Sequence, residues 1–173
     1  MAGVPRIEFR SLTEGDLPTL FEWMNRSHVA QWWDGPVSYD EVLEKYGSRI
    51  RSDSIHPYVV LLDGLPGGYI QSWIAAQQGE GWWEPETDPG VIGIDQFLAD
   101  AGRLSQGIGT AMVGQFVRRL FQDPAVTRVQ LDAEIENFRA IRCYEKAGFQ
   151  RHGIAETPEG PVLLMRLHRG ALQ

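Results

Sequence analysis

Two rhythms of apolar and polar positions run along this chain. Alternation over 6–11 (RIEFRS) predicts a half-buried first strand, and 58–62 (YVVLL) a second. Asp63-Gly64 then reads as a hairpin turn, with 68–76 as the return strand. Further strands are predicted over 91–97, 128–132, 149–155 and 162–167, the last two joined around 157–160. Helical spacing appears four times. Caps at 13–16 precede a helix carrying Leu17, Leu20, Phe21, Trp23 and Met24, and Ser38 caps a helix over 39–50 with Val42, Leu43 and Tyr46 on one side. Ile108, Met112, Phe116 and Leu120 recur every fourth residue, widened by Val113 and Val117, until Asp123-Pro124 stops the helix. A last helix runs from Glu136-Asn137 to Ala147 and is closed by Gly148. The stretch 28–36 (HVAQWWDGP) is too aromatic and turn-rich to be regular, and 77–90 is polar and loop-like with two tryptophans in its middle.

Helices alternate with strands in the second half, while hairpins dominate the middle. This order predicts an α/β (α+β) layered domain, a mixed sheet with helices on its faces, and a single domain over 1–173. A chain of 173 residues that is 43% hydrophobic and carries six tryptophans is long and apolar enough to bury one core. No run approaches the length of a membrane span, the N-terminus lacks an apolar signal core, and the single Cys143 forms no internal disulfide, so a cytoplasmic location is expected. The formal charge of −7 argues against nucleic acid and anionic membranes as partners and in favour of cations, although acidity also serves solubility.

Between the strand at 91–97 and the long helix lies Ser105-Gln106-Gly107-Ile108-Gly109-Thr110. Glycine lets a backbone come close to a ligand, and the helix behind points its free N–H groups and positive dipole end into the turn, which suits a phosphate. The alternative is an ordinary glycine-bearing loop. On the last helix Asn137, Ala140, Ile141 and Tyr144 share a face. Asp95 stands mid-strand among Ile92, Ile94 and Phe97, an unusual place for a carboxylate unless a ligand or an arginine meets it. A structural ion pair for Asp95 and a core role for Tyr144 remain open readings. His28, His56, His152 and His168 lack ligand spacing, so no metal is expected, and Cys143 has no base at a readable offset.

The order strand, glycine turn, helix, strand, then N-F-R-A-I-R-C-Y-E-K-A-G-F over 137–149, resembles the GNAT superfamily of acetyl-CoA-dependent N-acetyltransferases. Trp82-Trp83-Glu84, Thr87-Asp88-Pro89-Gly90-Val91, Gly93-Ile94-Asp95-Gln96, Asp132 and Thr157-Pro158-Glu159-Gly160-Pro161 are similar to the aminoglycoside 6'-N-acetyltransferases of the type I group, closely over about 71–165. The resemblance implies a GNAT fold: a mostly antiparallel sheet of six to seven strands with about four helices, splayed at the acetyl-CoA site. It implies acetyl-CoA as cosubstrate, held by Gln96, Phe97, Leu98, Ser105, Gln106, Gly107, Ile108, Gly109, Thr110, Asn137, Ala140 and Tyr144. Leu104 departs from the Gln or Arg that the family often has three residues before the first glycine.

The implied reaction is direct attack of an amine on the thioester, with Asp95 as base and Tyr144 as acid. By the same resemblance Trp33, Tyr46, Asp53, Gln71, Glu80, Trp83, Asp95, Asp132 and Glu159 bind a polycationic aminoglycoside. A monomer or weak homodimer is expected, although the sequence carries no signal for the oligomeric state. Two other readings stay open: a GNAT enzyme acting on another amine, such as a polyamine, a protein N-terminus or a metabolite, and a non-catalytic module that binds acetyl-CoA.

Overall fold

The computed structural model describes residues 3–33, 35, 37–78 and 85–172. Seven strands form one sheet in the order β1-β2-β3-β4-β5-β7-β6. They are β1 (Ile7–Ser11), β2 (Ile55–Leu62), β3 (Leu65–Ile74), β4 (Val91–Leu98), β5 (Arg128–Glu134), β6 (Gln150–Thr157) and β7 (Gly160–His168). The helices are α1 (Leu17–Met24), α2 (Ser27–Ala30), α3 (Tyr39–Ile50), α4 (Ile108–Leu120) and α5 (Phe138–Lys146). The mixed, mostly antiparallel sheet expected from the sequence is therefore present. β1 with β2, β5 with β7 and β6 with β7 run antiparallel, whereas β4 and β5 are parallel. The parallel ladder pairs Val91, Ile92 and Gly93 with Arg128, Val129 and Gln130, and ends short of the ends of both strands.

The chain divides into two compact units, residues 1–72 with 95–106, and residues 73–94 with 107–173. The first unit has a core of Leu12, Leu17, Leu20, Trp23, Met24 and Val42, joined by Tyr46, Val59, Tyr69 and Ala99. α1 and α3 supply much of it because their apolar residues recur at helical spacing. Ser38 starts α3 with a capping box in which its hydroxyl accepts from the Glu41 amide while the Glu41 carboxylate accepts from the Ser38 amide. Leu43, expected on the buried side, is exposed, since the buried stripe of α3 runs through Val42, Tyr46 and Gly47. The stretch expected to be irregular opens with one helical turn, α2, whose surroundings are tied down by long-range bonds: Arg26 donates to the Ala99 carbonyl and His28 bonds the Leu98 carbonyl. Asp63 (φ 52) and Gly64 (φ 83) both take the left-handed conformation that a two-residue hairpin turn needs, so β3 starts at Leu65, earlier than its alternation suggested.

In the second unit α4 buries Ile108, Met112, Val113, Phe116 and Val117. Alternate residues Val129, Leu131 and Ala133 of β5 and Leu163, Met165 and Leu167 of β7 are buried as well, which leaves Arg128, Gln130, Asp132 and Glu134 on the opposite face of β5. Each large apolar side chain withdrawn from water adds about 1.5–3 kcal/mol.

Candidate active site

The first unit brings four of the sequence-predicted residues into one aromatic and polar cluster. Trp33 Nε1 donates to the Tyr46 hydroxyl at 3.0 Å, and Tyr46 meets Tyr69 edge to face at 5.5 Å. Phe97 stacks on Tyr69 at 5.6 Å and takes the edge of Trp33 at 5.2 Å. Tyr69, 0% exposed, donates to Gln71 Oε1 at 2.8 Å, and Arg49 Nη1 donates to the same oxygen at 2.9 Å. Burial, then the neighbouring Tyr46, pushes the Tyr69 phenol well above its ordinary pKa. The charge of Asp95 adds to this rise while Arg49 opposes it. Asp95 thus stands within electrostatic reach of Tyr69. It is half-buried and lies on the face of β4 that carries Phe97. Tyr69 and Arg49 were not singled out in the sequence, although Arg49 lies one helical turn beyond Tyr46 on α3. Asp53 is exposed between α3 and β2, and no hydrogen bond or ion pair joins it to the cluster among the described residues.

Gln96 and Leu98 point to the other side of β4, Gln96 half-buried and Leu98 buried. The Phe97 carbonyl is approached so closely by Gly68 that a Cβ there would sit 2.7 Å from the oxygen, so only glycine fits. After β4 the chain turns through Ser105 at φ 60, which a non-glycine residue holds at a cost on the order of 1 kcal/mol. The Gln106 side chain donates back to the Gly102 carbonyl at 2.5 Å.

The second unit begins its part of this turn at Gly107, the N-cap of α4, at φ 81 and ψ −5. The first intrahelical bond runs from the Ala111 amide to the Gly107 carbonyl. The amides of Ile108, Gly109 and Thr110 precede it and face outward at the positive end of the dipole. Those donors, with no Cβ at Gly107 or Gly109, fit a pyrophosphate. Thr110 donates to the Cys143 sulfur at 3.6 Å, and burial raises the pKa of that thiol, which makes it a poor nucleophile. On α5, Asn137 is the N-cap and its side-chain oxygen accepts from the Ala140 amide at 3.2 Å, while Ala140 is half-buried. Tyr144 is 8% exposed, with its ring tilted against Phe149 at 6.2 Å.

Acid groups gather in the second unit too. Glu134 has its carboxyl pKa raised by burial first, then by the charges of Glu159 and Glu136. Glu159, in the turn between β6 and β7, is therefore within electrostatic reach of Glu134, and Asp132 shares the β5 face of Glu134. Glu134 and Glu136 were missed in the sequence, although the D-x-E alternation at 132 and 134 was the signal available. Glu80 and Trp83 lie outside the described residues. Beyond them, Glu86 accepts from the Thr87 and Asp88 amides and pairs with Arg128, and Asp88 accepts from the Gly90 amide and the Thr127 hydroxyl, which ties the end of that loop to β5.

Comparison with known proteins adds to this geometry. A family model described as an acetyltransferase (GNAT) domain matches residues 13–157. The aminoglycoside N(6')-acetyltransferase type 1 of Klebsiella pneumoniae is 48% identical over 171 residues, 96% of this chain and 85% of that protein. A crystal structure of AAC(6')-Ib in complex with coenzyme A and kanamycin is similar with a TM-score of 0.89 and 49% identity, covering 96% of this chain and 97% of that one. Another AAC(6')-Ib structure, in complex with AcetylCoA, has a TM-score of 0.90 at 49% identity, covering 96% and 95%.

Proposed function

This chain belongs to the GNAT acetyltransferase family, and on that premise we propose that it transfers the acetyl group of acetyl-CoA to the 6'-amine of aminoglycoside antibiotics, conferring resistance to them. The observation that carries the reading is the likeness, along nearly the whole chain, to an enzyme named for that reaction. The acceptor is a polycation carrying hydroxyls, and carboxylates with aromatic faces are the chemistry that recognises it. Asp95, Asp132 and Glu159 supply the charge, with Glu134 near both Glu159 and Glu136. At an effective dielectric of 20, one ammonium 4 Å from one carboxylate gains about 4 kcal/mol.

The same field holds the amine protonated, and an ammonium has no lone pair with which to attack. Asp95 resolves this locally by taking the proton, directly or through a water. Acetyl-CoA supplies the activated acyl group when bound. The amides of Ile108, Gly109 and Thr110 hold its pyrophosphate, a backbone N–H near Gln96 polarises the thioester oxygen, and Tyr144 gives its phenolic proton to the departing thiolate.

The test is thiol release from acetyl-CoA across kanamycin, tobramycin, amikacin, gentamicin, spermidine and a peptide N-terminus. Release with the kanamycin-type drugs well above that with spermidine and the peptide is expected. Release with spermidine or the peptide alone would move the reading to another amine, and release with none would leave a binding module.

A further inference from the structure

The cluster in the first unit already contains a cation. The Arg49 guanidinium carbon lies 4.9 Å from the centroid of the Tyr46 ring, and its Nη1 donates to Gln71 Oε1 at 2.9 Å. That oxygen also accepts the Tyr69 hydroxyl at 2.8 Å. Arginine carries only donors, so the Gln71 atom facing it is the oxygen, and an amide oxygen has two lone pairs. Both are taken, one by Arg49 and one by Tyr69. The remaining hydrogen-bonding group of Gln71 is its NH2, a donor, which suits a hydroxyl oxygen and not an ammonium. The face of Tyr46 on which a ligand cation would sit is likewise held by the guanidinium.

From this arrangement we infer that Arg49 is a specificity-determining residue: it fills the cation position between Tyr46 and Gln71, so the acceptor ring that carries the reacting amine meets this wall with a hydroxyl rather than a second ammonium. The inference rests on the proposed function and deepens it. Asp95 sits near this wall, because its charge is felt at Tyr69, whose hydroxyl shares the Gln71 oxygen with Arg49. The part of the acceptor that reaches Asp95 is the ring bearing the 6'-amine. A second positive charge on that ring would face Arg49, which is half-buried, and like charges repel more strongly there than in open water. α3 fixes the arginine in place, since Tyr46 and Arg49 are three residues apart on one helical face.

Kanamycin A and kanamycin B test this, because their 6'-amine-bearing rings differ by one hydroxyl in place of one amine. The quantity to measure is the ratio of kcat/KM for the two acceptors. Arg49→Met should shift the ratio toward kanamycin B by about tenfold, mainly through KM, whereas Arg49→Lys, which keeps the charge, should stay within about threefold of the wild type. Arg49→Gln carries the same expectation as Arg49→Met should the latter fail to fold by circular dichroism. A neutral variant whose ratio stays within about twofold of the wild type overturns the inference, as does an equal shift in the Lys and neutral variants. Wild-type turnover with an unmoved ratio sinks this inference alone; no turnover of either kanamycin by the wild type sinks the functional reading and this one with it.

Discussion

Asp95 and Tyr144 are the residues on which the chemistry is staked. Asp95→Asn removes the proposed base while keeping shape, and kcat should fall at least tenfold with CoA affinity nearly intact; steady-state kinetics with a wild-type kcat would take Asp95 out of that role. Tyr144→Phe deletes only the phenolic oxygen from a ring that is 8% exposed and packed against Phe149. Single-turnover acetyl transfer should slow, and an unchanged rate would leave the ring with a packing role alone. The singling out of Asp95 was possible in the sequence because a carboxylate among Ile92, Ile94 and Phe97 breaks a local pattern. Arg49 was not legible. Nothing local marks a solvent-type residue on a helix, and its partner Gln71 is 22 positions away.

At the scale of elements, α5 depends on one cap. Asn137→Ala removes the acceptor for the Ala140 amide and should cost about 1 kcal/mol, read as a lower urea midpoint, while Asn137→Asp should largely restore it. A fall in CoA affinity without loss of stability would instead give the side chain to the ligand. Elements with their own local signals were read well: α3 from Ser38 and Glu41, α4 from its four-residue stripe, the hairpin from Asp63-Gly64. α2 escaped because one turn of helix has too few residues to show a period, and its anchors are carbonyls about 70 residues ahead. Leu43 was misplaced because it directly follows Val42, and a 100° step carries the next residue off the buried stripe.

At the scale of the whole molecule, acid stability has a definite sign. The Arg10 guanidinium, bonded to both oxygens of Asp16, and the Thr13 amide and hydroxyl lower the Asp16 carboxyl to about 2 from an ordinary value of 3.8. A depressed carboxylate stabilises the fold above its unfolded pKa and loses that contribution as pH falls through the folded value. The Asp16 contribution is therefore full above about pH 4 and gone below about pH 2. Since Arg10 is partly exposed, about 1 kcal/mol is a reasonable size. Urea unfolding of Asp16→Asn should show that deficit at pH 7 and none near pH 2. The order of the seven strands and of the four longer helices was legible, yet the grouping of 73–94 with 107–173 was not, because which distant segments share a core depends on tertiary packing that no local rhythm encodes.

That grouping bears on how the chain could be divided. A cut between Gln106 and Gly107 would leave the N-terminal fragment holding 73–94, a piece whose companions are all on the other fragment. The N-terminal fragment would keep the whole first unit, whereas the C-terminal fragment would lack 73–94, so split reporters or fusions built at that joint would regain the second unit only when the two fragments meet.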